Sequence, residues 1–262
     1  MKFIVTLIIA LAASCAGFLN YVWFISLGYG MAIAAIGIFE FIIFSEFSMG
    51  SIFIALMFML YGARLTGFLA YREFKVMSYS HRMRGEIVEN DRLELWQKFA
   101  VWGSASLLYA CQTSPLTFRL MNGDDADVFV VIGLIIMVIG LVIESLADYQ
   151  KHMAKKKNPN TFVSTGLFKI VRCPNYFGEV VFWLGAFVTG LRTYCNFFQW
   201  LFALLGILGI IYVIISGARR LEIRQNKNYG EDEAYQAYAK STPILVPFLP
   251  VYSVEKYKWF VA

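Results

Sequence analysis

Between residues 3 and 216 the chain is a series of apolar runs separated by polar segments. Most runs approach the ~20 residues that a helix needs to cross a hydrocarbon core of roughly 30 Å. Backbone polar groups in lipid must be satisfied within the segment or by barrel closure, and nothing here alternates like a barrel strand. The fold class expected is therefore all-α, a polytopic membrane helix bundle of about seven transmembrane helices. The spans expected are 3–25, 27–47, 51–71, 95–111, 128–147, 176–190 and 197–216. A hydrophobic share of 59% exceeds what a soluble core requires. Lys2 before an apolar stretch ending in Ser14-Cys15 resembles a secretion signal, but apolarity continues to Ile25, so no cleavage is expected.

Basic residues set the orientation. Arg72, Lys75, Arg82, Arg84 and Arg92 follow the third span. Lys151, Lys155, Lys156, Lys157, Lys169 and Arg172 follow the fifth, and Arg219, Arg220, Arg224 and Lys227 follow the seventh. All three groups fall on one side, which the positive-inside rule makes cytoplasmic. The N-terminus and the Asp124-Asp125-Ala-Asp127 loop then lie outside and the C-terminus is cytoplasmic. The same bias accounts for the net charge of +5 without a nucleic-acid partner. The partners expected are the lipid bilayer and a hydrophobic small molecule, in a bacterial inner membrane or the endoplasmic reticulum. Cys15, Cys111, Cys173 and Cys195 show no paired spacing, and His81 and His152 are the only histidines, so neither a disulfide framework nor a metal site is expected. No linker or repeat divides residues 1–262, which read as one domain with a substrate-side half, 1–127, and a cofactor-side half, 128–262.

The polar residues that remain fall in a few places. Glu144 and Asp148 stand one helical turn apart, with Lys151 and Lys155 continuing the stripe. Such a face suits a solvated helix end with salt bridges; it equally suits carboxylates accepting ribose hydroxyls with Lys155 on a phosphate. Gly166-Leu-Phe-Lys-Ile-Val-Arg-Cys-Pro-Asn-Tyr-Phe-Gly-Glu179 turns the chain back toward the bilayer. Pro174 presets a helix start, Asn175 caps or binds, and Glu179 sits inside the span, where an ionisable group is costly and is expected to face the bundle interior. In the third span Arg64 is one turn beyond Tyr61. A phenol near a cation has its anion stabilised, which suits it to donate a proton to a carbonyl, though an aromatic packing residue beside a snorkelling arginine fits as well.

The pattern Gly-Leu-Phe-x-x-Val-x-x-x-Asn-Tyr-Phe-Gly-Glu, with the later Tyr235-x-x-Tyr238-x-x-x-Thr-Pro243-x-x-x-Pro-Phe248, resembles the C-terminal region of steroid 5-alpha-reductases and their bacterial membrane relatives. The resemblance covers roughly 144–248, and sterol C14-reductases and isoprenylcysteine carboxyl methyltransferases share parts of it. It implies NADPH as cofactor, with Asp148, Lys155, Asn175, Glu179, Arg219, Glu222 and Arg224 as cofactor-binding candidates and Tyr61, Glu40 and Arg64 as catalytic candidates. The implied activity is hydride transfer to an enone-type carbon–carbon double bond of a steroid-like or other lipid. One departure stands out: reductases of this kind carry a Gln-Glu pair about 34 residues before the tyrosine, and here that count reaches Ser26-Leu27. Glu40 is expected to substitute by meeting Tyr61 across the hairpin, with Glu46 the weaker substitute. The alternatives are an S-adenosylmethionine-dependent lipid methyltransferase, disfavoured by Cys173 where those enzymes carry histidine, and a non-enzymatic membrane protein that keeps the fold.

Overall fold

The structure is a computed structural model that describes residues 2–43, 48–75, 94–123 and 127–260. Glu46, the Arg82, Arg84 and Arg92 group, His81 and the Asp124-Asp125 pair lie outside the described residues. Among those described there is no strand. The helices are α1 (Lys2–Ser14), α2 (Leu27–Ile43), α3 (Met49–Lys75), α4 (Leu95–Asn122), α5 (Val128–Lys157), α6 (Pro174–Thr189), α7 (Phe197–Tyr229) and α8 (Glu233–Ser241). Three of them, α3, α5 and α7, are long and apolar enough to cross a membrane, with mean hydropathies of 1.8, 2.8 and 2.5. Their exposed apolar side chains, such as Leu60, Val131, Ile135 and Leu208, mark surfaces suited to lipid.

The expected continuous span over 3–25 is broken. α1 stops at Ser14 after 13 residues and gives way to two short 3-10 turns, Cys15–Phe18 and Tyr21–Ile25. The physical reason is local: the Asn20 side chain accepts from the Val22 N–H, an interaction that competes with helix, and the Phe24 ring packs onto Gly17. The helix over the expected fourth span is longer than the apolar run, because α4 continues through Pro115 to Asn122. Proline there deprives the Cys111 carbonyl of its helical donor, and the Ser114 hydroxyl donates to that carbonyl instead at 2.8 Å.

The chain divides into two compact units, Met1–Leu134 with Ala186–Ile207, and Ile135–Gly185 with Leu208–Ala262. In the first, α2 and α3 run antiparallel with their backbones nearly touching: a Cβ on Gly62 would lie 2.6 Å from the Ala34 nitrogen and one on Gly30 2.9 Å from the Gly62 carbonyl. α1 meets α4 through the Ser14 and Ser106 hydroxyls at 3.0 Å and the Trp102 indole on the Leu11 carbonyl. Phe3 stacks between Phe118 and Phe202. At the end of α4 the fully buried Arg119 is paired with Asp127 and donates to the Thr189 carbonyl at 3.3 Å, joining the start of α5 and the end of α6. In the second unit α5 and α6 cross at Gly140 and Gly178, where a Cβ on Gly178 would stand 2.6 Å from the Glu144 nitrogen and 2.8 Å from the Gly140 carbonyl. Only glycine permits that approach, and it fixes the register of both helices.

Candidate functional site

In the second unit the α5–α6 register puts Glu144 opposite Gly178. One turn on, Asp148 is level with Asn175, because the two helices are antiparallel. Glu144 and Asp148 are buried and Asn175 and Glu179 are half-buried, so the acids and the amide expected from sequence lie at neighbouring levels of α5 and α6, with Glu179 acting on the Tyr176 phenol. The Asn175 Oδ1 is buried and accepts no hydrogen bond. α7 completes the cluster. Gly217 brings its backbone against the Tyr176 phenol, 3.4 Å from where a Cβ would be, and Arg220 and Arg224 act electrostatically on that phenol. Ser216, Arg220 and Arg224 are spaced one turn apart on α7; both arginines are exposed, and the Ser216 Oγ is buried without a partner.

Ser216, Tyr176 and Arg220 were not singled out from sequence, though the four-residue spacing from Ser216 through Arg220 to Arg224 is legible in it. Together these groups offer two exposed guanidinium groups for phosphates, two buried orphaned polar atoms for an amide or hydroxyl, and carboxylates for ribose hydroxyls. A nicotinamide dinucleotide fits that donor and acceptor set.

Three expected cofactor residues have other occupations. Glu222 is buried and pairs with Arg172 at 2.7 Å, while its other oxygen accepts the backbone N–H groups of Val254 and Glu255 at 2.8 and 3.0 Å. Arg219 donates to the Glu255 and Phe260 carbonyls. Glu222 and Arg219 thus hold the tail that follows α8. The loop before α6 is tied to the same tail, since Arg172 N–H and Cys173 N–H donate to the Pro243 and Ile244 carbonyls. Lys155 places its ammonium on the Pro159 and Thr161 carbonyls and the Tyr229 hydroxyl, which matches its three donors and closes the loop after α5. Gln150 accepts from Leu167 N–H at 2.9 Å, packed against Gly166 at φ 63°. Burial pushes the Cys173 thiol up to about 11, against smaller opposing pulls from Lys151 and Arg172, so it is neutral at physiological pH and a poor nucleophile. Burial likewise pushes the Tyr238 hydroxyl above its ordinary range; it donates to the Phe168 carbonyl at 2.7 Å.

In the first unit Tyr61 is fully buried and donates to the Tyr29 hydroxyl at 3.2 Å; the Gln112 amide donates to the same oxygen at 3.3 Å. The Gln112 Oε1 is buried with no partner, and Tyr109 stacks on Tyr29 at 5.0 Å. Arg64 lays its guanidinium 5.7 Å from the Phe68 ring, one turn further along α3 from Tyr61. Glu40 is buried, takes the Thr117 hydroxyl on one oxygen, and leaves the other without a hydrogen bond. The expected meeting of Glu40 with Tyr61 is not formed. Glu40 lies eleven residues beyond Tyr29 on α2, about 16 Å of rise, so the two occupy different levels of the unit. Tyr29, Gln112 and Thr117 were missed from sequence. Gln112-Thr-Ser-Pro115 was the available signal, a polar run placed at the end of a span that in fact continues.

Residues 8–242 match the family described as "Protein of unknown function (DUF1295)", and the chain belongs to that family. It is also similar to "Steroid 5-alpha-reductase DET2" of Arabidopsis thaliana, 34% identical over 88 residues, 26% of this chain and 34% of the relative. The match thus spans about a third of that relative's length. No solved structure matches.

Proposed function

We propose that this member of the DUF1295 family is a membrane-embedded, NADPH-dependent reductase that saturates an activated carbon–carbon double bond in a lipid or steroid-like substrate. The observation that carries the reading is the polar cluster of the second unit, where Asn175 and Ser216 keep buried unpartnered oxygens beside the exposed Arg220 and Arg224. The similarity to a steroid 5-alpha-reductase supports the choice of a nicotinamide cofactor. In this reading the helices form a bundle of about seven spans with the basic loops, and so the nucleotide cluster, on the cytoplasmic side.

NADPH, when bound, supplies the hydride for the β-carbon of an enone. Arg220 and Arg224 bind its phosphates, Asp148 and Glu144 take ribose hydroxyls, and Asn175 and Glu179 orient the carboxamide. In the first unit the proton comes from the hydrogen-bonded pair Tyr61–Tyr29. As negative charge develops on the substrate carbonyl oxygen, the Tyr29 hydroxyl gives up its proton to it and takes the one Tyr61 donates, and the proton lost from the pair is recovered from water once the product has left. Gln112, donating to the Tyr29 oxygen, stabilises the negative charge that passes through it during the transfer. Glu40, bonded to Thr117 at another level of the unit, lies outside this relay.

Thermal shift in detergent tests the reading, since a ligand that binds the native state raises apparent stability. NADPH is expected to stabilise the protein, and Asn175→Ala and Arg220→Ala to remove most of that shift. Stabilisation by S-adenosylmethionine alone would refute it.

A further inference from the structure

The segment that follows α8 returns to the lipid-facing surface of α7. Arg219 donates to the Glu255 carbonyl at 3.0 Å and to the Phe260 carbonyl at 3.1 Å, which holds residues 255–260 along that helix. Further along, the Tyr212 hydroxyl donates to the Trp259 carbonyl at 3.1 Å, and the Tyr212 and Phe260 rings lie 5.6 Å apart. Tyr212 belongs to the apolar stretch of α7. Arg219, seven residues later, is the first charged residue of the helix, so Tyr212 lies about 10 Å deeper along the axis.

Trp259 therefore stands beside the level where α7 presents Tyr212 and Val213 outward, and it is itself 67% exposed. Exposed indole at that level is costly in water and favourable at a lipid interface, where tryptophan and tyrosine concentrate. Lys256 and Lys258 are exposed immediately before it, and the Lys256 ammonium lies 5.1 Å over the Tyr257 ring. Their spacing lets the aliphatic stems follow the apolar surface while the charges reach lipid phosphates.

We propose that residues 256–260 are an interfacial anchor seated in the bilayer leaflet at the charged end of α7. Trp259 enters the acyl boundary, backed by the buried Phe260 ring that packs between it and Tyr212, and Lys256 and Lys258 meet phosphate headgroups. Because Glu222 and Arg172 grip the same tail at Val254, Glu255 and Tyr252, the anchor also fixes the loop that starts α6 against the bilayer. This inference does not depend on the reductase reading.

Spin labels report the depth. In protein carrying Cys15→Ser and Cys195→Ser, the remaining cysteines are buried, and labels are introduced through Trp259→Cys, with Leu208→Cys as a lipid-facing reference and Lys240→Cys as an aqueous one. After reconstitution into phosphatidylcholine–phosphatidylglycerol vesicles, the label at 259 is expected to collide with oxygen in preference to a water-soluble nickel chelate. Its ratio should approach that at 208 and exceed that at 240 several-fold. Preference for the chelate overturns the proposal, as does shielding from both reagents, which would mean cover by protein such as a second copy. If Trp259→Cys does not fold, Trp259→Phe keeps the packing. Quenching of tryptophan emission by lipids brominated near the carbonyl end is expected to fall relative to the unaltered protein, and an unchanged quenched fraction overturns the proposal.

Discussion

Glu222→Ala tests the architecture of the second unit most severely. Its carboxylate serves three donors: the Arg172 guanidinium at 2.7 Å and the backbone N–H groups of Val254 and Glu255. Removing it leaves Arg172 with a buried charge that retains no carboxylate, with the Tyr252 carbonyl on its Nη2 and the neutral Tyr235 side chain beside it. Breaking a buried pair from one side costs about 3–5 kcal/mol. The orphaned Val254 N–H adds to that cost, whereas the Glu255 N–H keeps the Ser253 hydroxyl at 3.3 Å. For a chain of this size each kcal/mol is worth roughly 2–4 °C, so thermal unfolding in detergent should fall by roughly 6–20 °C. Limited proteolysis should then cut within 243–260 before it cuts elsewhere in the unit. Arg172→Met combined with Glu222→Leu, which replaces both charges by apolar volume, should recover part of the loss. A Glu222→Ala protein that melts within about 2 °C of the parent, with its tail as resistant as before, would refute the claim that this carboxylate organises the tail.

Other expectations follow from single contacts. Tyr61→Phe removes the proton supplied to Tyr29 and should lower turnover about 10²-fold or more while costing only about 1 kcal/mol of stability and leaving NADPH binding intact, as steady-state rates and thermal shift would report. Gly178→Val would drive a side chain into the Glu144 nitrogen and the Gly140 carbonyl, backbone atoms that cannot step aside, and should destabilise by at least about 1–3 kcal/mol, whereas Gly103→Ala, with nothing within 4 Å, should be neutral or better. Since the Cys173 thiol is pushed up to about 11 from 9.0, folding holds its proton; that stabilisation is complete below pH 9 and is lost as pH rises from about 9 through about 11. A two-unit shift is worth at most about 2.7 kcal/mol, so Cys173→Ser should flatten the alkaline part of the stability profile over that window and leave the neutral part unaffected by ionisation.

Helices were the legible part of this sequence because apolar runs of membrane length admit little else, and α3, α5 and α7 begin within two residues of where hydropathy alone starts them. What hydropathy cannot see is interruption by side-chain hydrogen bonds, as at Asn20, or continuation through a proline whose orphaned carbonyl finds a neighbouring serine, as at Cys111 and Ser114. The acids of α5 and the amide of α6 were legible because helical spacing puts each on one face. On α7 the candidates came from the resemblance instead: Arg219 and Glu222 bond to the tail, while Arg220 shares the face of Ser216 and Arg224 by its four-residue spacing. Which of two adjacent arginines faces a site depends on the rotation of the helix about its axis, and that is set by the contact of Gly217 with Tyr176, far away in sequence. The same holds for Tyr29 and Gln112, whose meeting with Tyr61 requires three helices to be in register.

Hydride transfer itself is the most direct test of the central claim. Purified protein, reconstituted with a total lipid extract, is incubated with NADPH deuterated at the transferable hydrogen of its nicotinamide, and the lipids are examined by mass spectrometry. The account predicts one lipid class gaining deuterium at carbon as NADPH is oxidised, and losing that gain in both Tyr61→Phe and Arg220→Ala. Lipids free of deuterium, with the label retained on the nucleotide, would contradict it.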